Sequence, residues 1–306
     1  MRAARVSELG APPEVVDIDG GGQIDVLAVA LNPLDIAVGS GRFPRGHPPL
    51  PYVPGCEAIG LVDGERTYLF GQGFGTARDG FLAERVDFPA AQGIPVPSDL
   101  DDAAAAACGI AGVAGWVPVA RRAPVQPGDR VLVLGATGTV GSVAVQAARA
   151  LGAERIVAAG RNSDKLERVL ELGADEAVLL DGDDLEDRFR EACGGDGPTL
   201  VIDPLWGDPI RAAVDAAAPR ARVVQLGQSA GPEATLTSGS VRLKGLSILG
   251  HSNFVLSREE LRDAYLEVAG HVAAGRIVID VESFALDEVA EAWAHQAAGA
   301  KAVVRL

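Results

Sequence analysis

Two hydrophobic patterns succeed each other along the chain and then the first returns. In the first hundred or so residues, short apolar stretches such as Ile24-Asp25-Val26-Leu27-Ala28-Val29 and Ala58-Ile59-Gly60-Leu61-Val62 are punctuated by Gly and Pro. Short alternating runs of this kind predict an antiparallel, partly barrel-like β domain. From Asp101 an alanine-rich helix (101–108) leads into a different regime, where strands and helices take turns. The strands are Arg130–Leu134, Arg155–Ala159, Glu176–Leu180, Thr199–Asp203 and Arg222–Gly227; helices begin near Ser142, Leu185 and Pro209. Such alternation predicts an α/β fold with a doubly wound parallel sheet. A last strand, Leu246–Gly250, falls at the sheet edge, and an uncovered apolar edge pairs readily with its own copy, so a homodimer is expected. A helix over 258–274 and strand-like segments at 283–286 and 302–306 read as a return to the first domain. The expected organisation is therefore residues 1–111 with 254–306 as one domain and 112–253 as the other, two domains being the norm for a chain of 306 residues.

Composition narrows the class. Hydrophobic residues make up 48% but aromatics only 5%, with a single Met, so the core must be built from Ala, Val, Leu and Ile. No apolar run reads as long enough to span a bilayer, and Met1-Arg2-Ala3-Ala4-Arg5-Val6 leads into a strand-like stretch unlike a signal peptide, which makes the expected location cytoplasmic. Cys56, Cys108 and Cys193 are too few and scattered for a disulfide framework or a CxxC zinc module. A net charge of -15 argues against nucleic acid or an anionic membrane as partner, since phosphate binding needs basic clusters.

The densest chemistry lies in Gly135-Ala136-Thr137-Gly138-Thr139-Val140-Gly141, between an apolar strand and a small-residue helix. A glycine turn opening a helix is the phosphate-binding corner of a dinucleotide fold: Gly138 admits a pyrophosphate, Gly141 admits close helix packing, and the helix start supplies free amides. Ala136 departs from G-x-G-x-x-G at the first glycine, and a plain strand-to-helix turn has the same look. The predicted cofactor contacts are Ala136, Thr137, Gly138, Thr139 and Val140. About 20 residues on, where a carboxylate would bind the NAD ribose, the second strand ends in Gly160-Arg161-Asn162, with Lys165 a turn later. A guanidinium there suits a 2′-phosphate, so NADP(H) is favoured, with Gly160, Arg161, Asn162 and Lys165 as its binding residues. Gly227, closing the fifth strand, completes this set.

The order of segments resembles the medium-chain dehydrogenase/reductase superfamily, and within it the zinc-independent NADPH:quinone oxidoreductase family. The resemblance runs nearly end to end. It is carried by Asn32-Pro33-Leu34-Asp35, the stretch Leu50–Gly60, Gly80–Glu84, Val125–Asp129, the glycine loop and Gly250-His251-Ser252-Asn253-Phe254. It implies a GroES-like β-barrel catalytic domain built from both chain ends, a Rossmann domain between them, and reduction of quinones or α,β-unsaturated carbonyls by NADPH. By the same resemblance Asn32 lies near nicotinamide and substrate, Asn253 belongs to a segment closing over the nicotinamide, and Lys301 approaches the cofactor. Asn32, Asp35 and Tyr52 are the catalytic candidates; each also reads as a turn, cap or packing residue. Glu57 reads as a brace for nearby backbone.

Two positions that hold tyrosine in relatives look like Ala37 and Phe43 here, which leaves the proton donor without an assigned residue. The ligand positions of zinc alcohol dehydrogenases look like Asn32, Cys56 beside Glu57, and Cys108, so no metal is expected. A zinc-type alcohol dehydrogenase and a catalytically silent NADPH-binding sensor are the competing readings.

Overall fold

A computed structural model describes residues 1–306. It divides into two compact units: Met1–Ala111 with Tyr265–Ala274 and Ile279–Leu306, and Gly112–Ala264 with Gly275–Val278. Strands β1 (Arg2–Arg5), β2 (Glu14–Asp17), β3 (Ile24–Ala30), β4 (Glu57–Val62), β5 (Glu65–Phe70), β6 (Arg85–Val86) and β7 (Ile94–Pro95) belong to the first unit. The second holds β8 (Arg130–Leu134), β9 (Arg155–Gly160), β10 (Glu176–Leu179), β11 (Leu200–Asp203), β12 (Arg222–Gln225) and β13 (Ser247–Gly250). The chain re-enters the first unit with β14 (Glu282–Ala285) and β15 (Ala302–Arg305).

In the first unit, β1 and β2 pair alone and a larger, mostly antiparallel sheet runs β14-β15-β3-β4-β5-β7, with β6 also on β3. The C-terminal strand reaches it because Val303 and Val304, fully buried, sit opposite Ala30 and Val29 of β3. The scarce aromatics are concentrated here: Phe74 stacks on Phe81 with centroids 4.6 Å apart, and Phe88 closes the cluster at 5.6 and 5.9 Å.

The second unit carries six parallel strands in the order β10-β9-β8-β11-β12-β13. Away from their ends its central strands are apolar, as a parallel sheet covered on both faces requires, and Leu132, Val157, Val201 and Val223 have no exposure. The strand order reverses between β8 and β11, and the crevice outside the strand ends at such a reversal is where open α/β sheets bind ligands. At the far edge β13 pairs only with β12 and leaves Ile248 39% exposed.

Two expectations need correction. The return to the first unit comes at Tyr265, inside the helix Arg258–Ala273, and not at 254. Tyr265 is fully buried there, donates to Ala105 O at 3.1 Å and stacks on Tyr68 with centroids 4.3 Å apart. The helix expected to end at Cys108 continues to Arg122, interrupted at Gly109 (φ -68°, ψ -113°). By length and composition these 21 residues are apolar enough to cross a membrane, contrary to the sequence reading, but 78% of the apolar window is buried within the fold. Most of its alanines and all of its valines are buried.

Candidate functional site

In the second unit the turn after β8 shows why alanine stands where a glycine is expected. The left-handed conformation falls on Gly135 (φ +62°), one residue earlier. Ala136 is fully buried and ties the loop to β9 through its amide, 2.9 Å from Ala159 O. Gly141 is required by packing, since a Cβ there would lie 2.4 Å from Gly135 O. Gly138 is different: its nearest neighbour would be 3.6 Å away, so nothing in the fold forbids a side chain. Gly138 is also the N-cap of the helix Thr139–Ala150, and no side chain caps that helix. The first main-chain bond into the helix joins Ser142 N to Gly138 O at 2.8 Å, leaving the amides of Thr139, Val140 and Gly141 open, the arrangement an anion completes.

Beside this corner, β9 ends in Gly160, where a Cβ would come 2.6 Å from Thr137 Cγ2. The two turns are thus in contact. Arg161, Asn162 and Lys165 follow on the surface. Asn162 caps the helix Ser163–Glu171, its side chain accepting from Lys165 N at 2.9 Å. Neither Arg161 nor Lys165 is paired with a carboxylate, unlike Arg149, Arg155, Arg188 and Arg190 elsewhere in this unit. Gly227 follows β12 under close contact, because a Cβ there would meet Pro204 O at 2.4 Å. Asn253 follows β13, its Oδ1 3.2 Å from His251 Nε2.

The first unit gathers another set of candidates into one buried network. Glu57, fully buried, accepts at Oε1 from Asn32 Nδ2 (2.7 Å) and at Oε2 from Tyr68 OH (2.8 Å) and Ile110 N (2.5 Å). Lys301, 3% exposed, donates to Leu31 O and Asn32 Oδ1, each at 2.8 Å, and lies 3.6 Å from Glu57 Oε1. Asp35 accepts from Asn32 N at 2.8 Å, holding the turn into the helix Pro33–Gly39. Burial pushes the Asp35 carboxyl up, against the Cys56 thiol, the Asn32 amide and the Lys301 charge, which favour its charged form. Tyr52 is 1% exposed with an unpartnered hydroxyl, and burial, Asp35 and Cys56 all push its phenol up.

This geometry alters the roles expected from sequence. Both hydrogens of the Asn32 amide are spent, one on Glu57 and one on Ala30 O at 3.1 Å, so none remains for a substrate oxygen. Lys301, expected near the cofactor, has its ammonium bonded to Leu31 O and Asn32 Oδ1 beside Glu57. Sequence reasoning missed Tyr68 and Tyr265, whose partners are 11 and 160 residues distant. It also missed Asp203, at the end of β11, fully buried and bonded to the amides of Leu205 and Trp206.

A family model described as zinc-binding dehydrogenase matches residues 139–269. A quinone oxidoreductase of Lama guanicoe is 30% identical over 310 residues, covering 95% of this chain and 92% of that one. The chain belongs to the quinone oxidoreductase family. It is an oxidoreductase of the medium-chain dehydrogenase/reductase superfamily, with the Rossmann and GroES-like units of that fold. A phenolphthiocerol/phthiocerol polyketide synthase polypeptide of Mycobacterium tuberculosis is 31% identical over 297 residues, and there the chain spans 13% of the relative's length. Among solved structures, an NAD-dependent alcohol dehydrogenase superposes with TM-score 0.87 at 29% identity, both chains covered in full. The Escherichia coli quinone oxidoreductase complexed with NADPH gives 0.86 at 23% identity, again over both whole chains.

The family model's description raises the question of zinc, and the donor set of this quinone oxidoreductase-family chain does not fit it. No group of three or more His, Cys, Asp or Glu is arranged to hold a metal. At the expected ligand positions, both Glu57 oxygens already accept hydrogen bonds and the Lys301 cation sits beside them. Burial, with Asp35 and Glu57, pushes the Cys56 thiol well up, and burial with Glu57 pushes Cys108 up to about 12.

Proposed function

We propose that this protein reduces a quinone or an α,β-unsaturated carbonyl with NADPH and without zinc. The observation that carries the reading is the uncapped helix start at Thr139–Val140, in contact through Thr137 and Gly160 with a turn bearing two unpaired cations. The pyrophosphate would rest on the open amides, and Arg161 with Lys165 would hold the 2′-phosphate. Reduced nicotinamide supplies a hydride to a carbon already made electrophilic by conjugation. With the Asn32 amide saturated and the Tyr52 phenol pushed up, solvent supplies the proton to the developing enolate or hydroquinone oxygen.

Support also comes from relatives named quinone oxidoreductase and from the likeness to a 2-haloacrylate reductase, TM-score 0.84 at 23% identity. The open edge of β13 is the surface through which two copies would pair. The locked Asn32 favours a second reading, a protein that binds NADPH without turning over. A panel of p-benzoquinones, enals and enoyl thioesters separates them: NADPH oxidation with an acceptor supports the reductase, whereas tight binding with no oxidation by any acceptor supports the silent binder. No calorimetric signal with NADPH would remove both.

A further inference from the structure

Asp203 closes β11 with none of its surface exposed. Its Oδ1 accepts from the amides of Leu205 and Trp206, both at 2.9 Å, and its Oδ2 is buried with no partner at all. The turn fastened in this way is strained. Trp206 has φ +55° and ψ -152°, a conformation costly for any residue with a Cβ, and Gly207 follows at φ +64° to start the helix Gly207–Ala216. The turn is also a wedge. A Cβ on Gly135 would meet Leu205 Cδ2 at 2.9 Å, and one on Gly227 would meet Pro204 O at 2.4 Å. Gly135 opens the glycine loop and Gly227 follows β12, so Pro204-Leu205-Trp206 fills the space between two loops at the carboxyl ends of the sheet, beside the β8/β11 reversal.

We infer that Asp203 is a positioning residue for the dinucleotide site, its charge fastening the strained Pro204–Trp206 turn that holds the glycine loop and the Gly227 loop apart. The inference rests on the dinucleotide reading above for its consequence, but not for the clamp itself. An ionised carboxylate accepts more strongly from the two amides than a neutral carboxyl, and so offsets the backbone strain at Trp206.

Burial pushes Asp203 up to about 6, against the amides of Trp206 and Leu205, which favour the charged form; no charged side chain contributes. Beside it β12 presents Gln225 and β8 ends in uncharged Val133 and Leu134; the turn itself is Pro204-Leu205-Trp206, and Asp208 in the following helix is exposed. The clamp is therefore tight above about pH 6 and loosened below it. In stability the sign is opposite: a carboxyl raised on folding favours the fold while protonated, and that contribution is lost as pH rises through about 6.

The test uses the full chain in two arms. Without nucleotide, the difference in fluorescence between the wild type and Trp206→Phe isolates the signal of Trp206. We expect it to titrate with a midpoint near 6 and to lose that midpoint in Asp203→Asn. With nucleotide, calorimetry is done with NADH, which lacks the 2′-phosphate that itself titrates near pH 6, and should show affinity falling about tenfold below the midpoint in the wild type, with a pH-independent weakening of about that size in Asp203→Asn. Should Asp203→Asn fail to fold, Trp206→Gly relieves the strain while keeping the carboxylate, and its NADH affinity should lose most of its pH dependence. A Trp206 midpoint that survives in Asp203→Asn, or a Trp206→Gly protein with the wild-type pH profile, overturns the clamp. A Trp206 titration that behaves as expected in a protein that never binds NADPH upholds the clamp and sinks the dinucleotide reading.

Discussion

The ammonium of Lys301 lies 3.6 Å from Glu57 Oε1, both groups closed off from solvent and each surrounded by further hydrogen bonds. The pair is one carboxyl and one amine at contact distance, each the other's counter-charge. Burial pulls the two groups toward neutrality, raising Glu57 and lowering Lys301, while their mutual attraction and the bonds from Asn32, Tyr68 and Ile110 oppose that.

Removing one partner should therefore be far worse than removing both. We expect Lys301→Met to lose roughly 3–5 kcal/mol in urea unfolding, the range for an uncompensated buried charge. The double variant Lys301→Met with Glu57→Gln should recover a large part of that loss. Equal losses in the single and double variants would show that the ion pair does not govern this core.

The two glycines that flank the start of the helix Thr139–Ala150 should respond in opposite ways. Gly141→Ala puts a methyl 2.4 Å from Gly135 O and should cost stability by about 1–3 kcal/mol, visible as a lower Tm. Gly138→Ala meets nothing nearer than 3.6 Å, so Tm should hold while NADPH affinity falls. Unchanged affinity in Gly138→Ala would mean that no pyrophosphate approaches this backbone.

Arg161→Ala should weaken NADPH by about 1.5–3 kcal/mol, the usual worth of a charged hydrogen bond, and leave NADH nearly unaffected. Calorimetry with the two nucleotides reads the difference directly. Equal weakening of both would move the 2′-phosphate away from this turn.

All three thiols should be slow to react in the native protein near pH 8. Burial pushes Cys56 well up, and Cys108 and Cys193 up to about 12, so the thiolate is scarce at that pH. Ellman's reagent should report three thiols promptly only after unfolding. Rapid reaction of the folded protein would contradict the closed network around Cys56.

Dimerisation through the open sheet edge is checked by Ile248→Lys, which places a charge on β13. A shift from dimer to monomer in sedimentation is the expected result, with the fold unchanged by circular dichroism.

Much of the second unit was legible in advance because its information is local. The strand Arg130–Leu134, the glycine turn and the following helix are contiguous, and a parallel sheet covered on both faces requires the unbroken apolar runs seen in β8, β9 and β11. Arg161 and Lys165 likewise stand a fixed number of residues past the glycines. By contrast, the boundary at Tyr265 was invisible, because the contacts there, such as the stack of Tyr265 on Tyr68, join residues nearly two hundred positions apart.

What the sequence determined by itself was the alternation of strand and helix and the glycine turn between β8 and the helix Thr139–Ala150, since these depend on neighbours along the chain. Tertiary structure alone decided that Asn32 is saturated, that Lys301 faces inward on Glu57, and that Asp203 fastens a strained turn between two glycine loops. Those relationships join residues brought within a few ångströms by sheet pairing and burial. Whether a carboxylate or an amide is free to act depends on what surrounds it, not on what adjoins it in sequence.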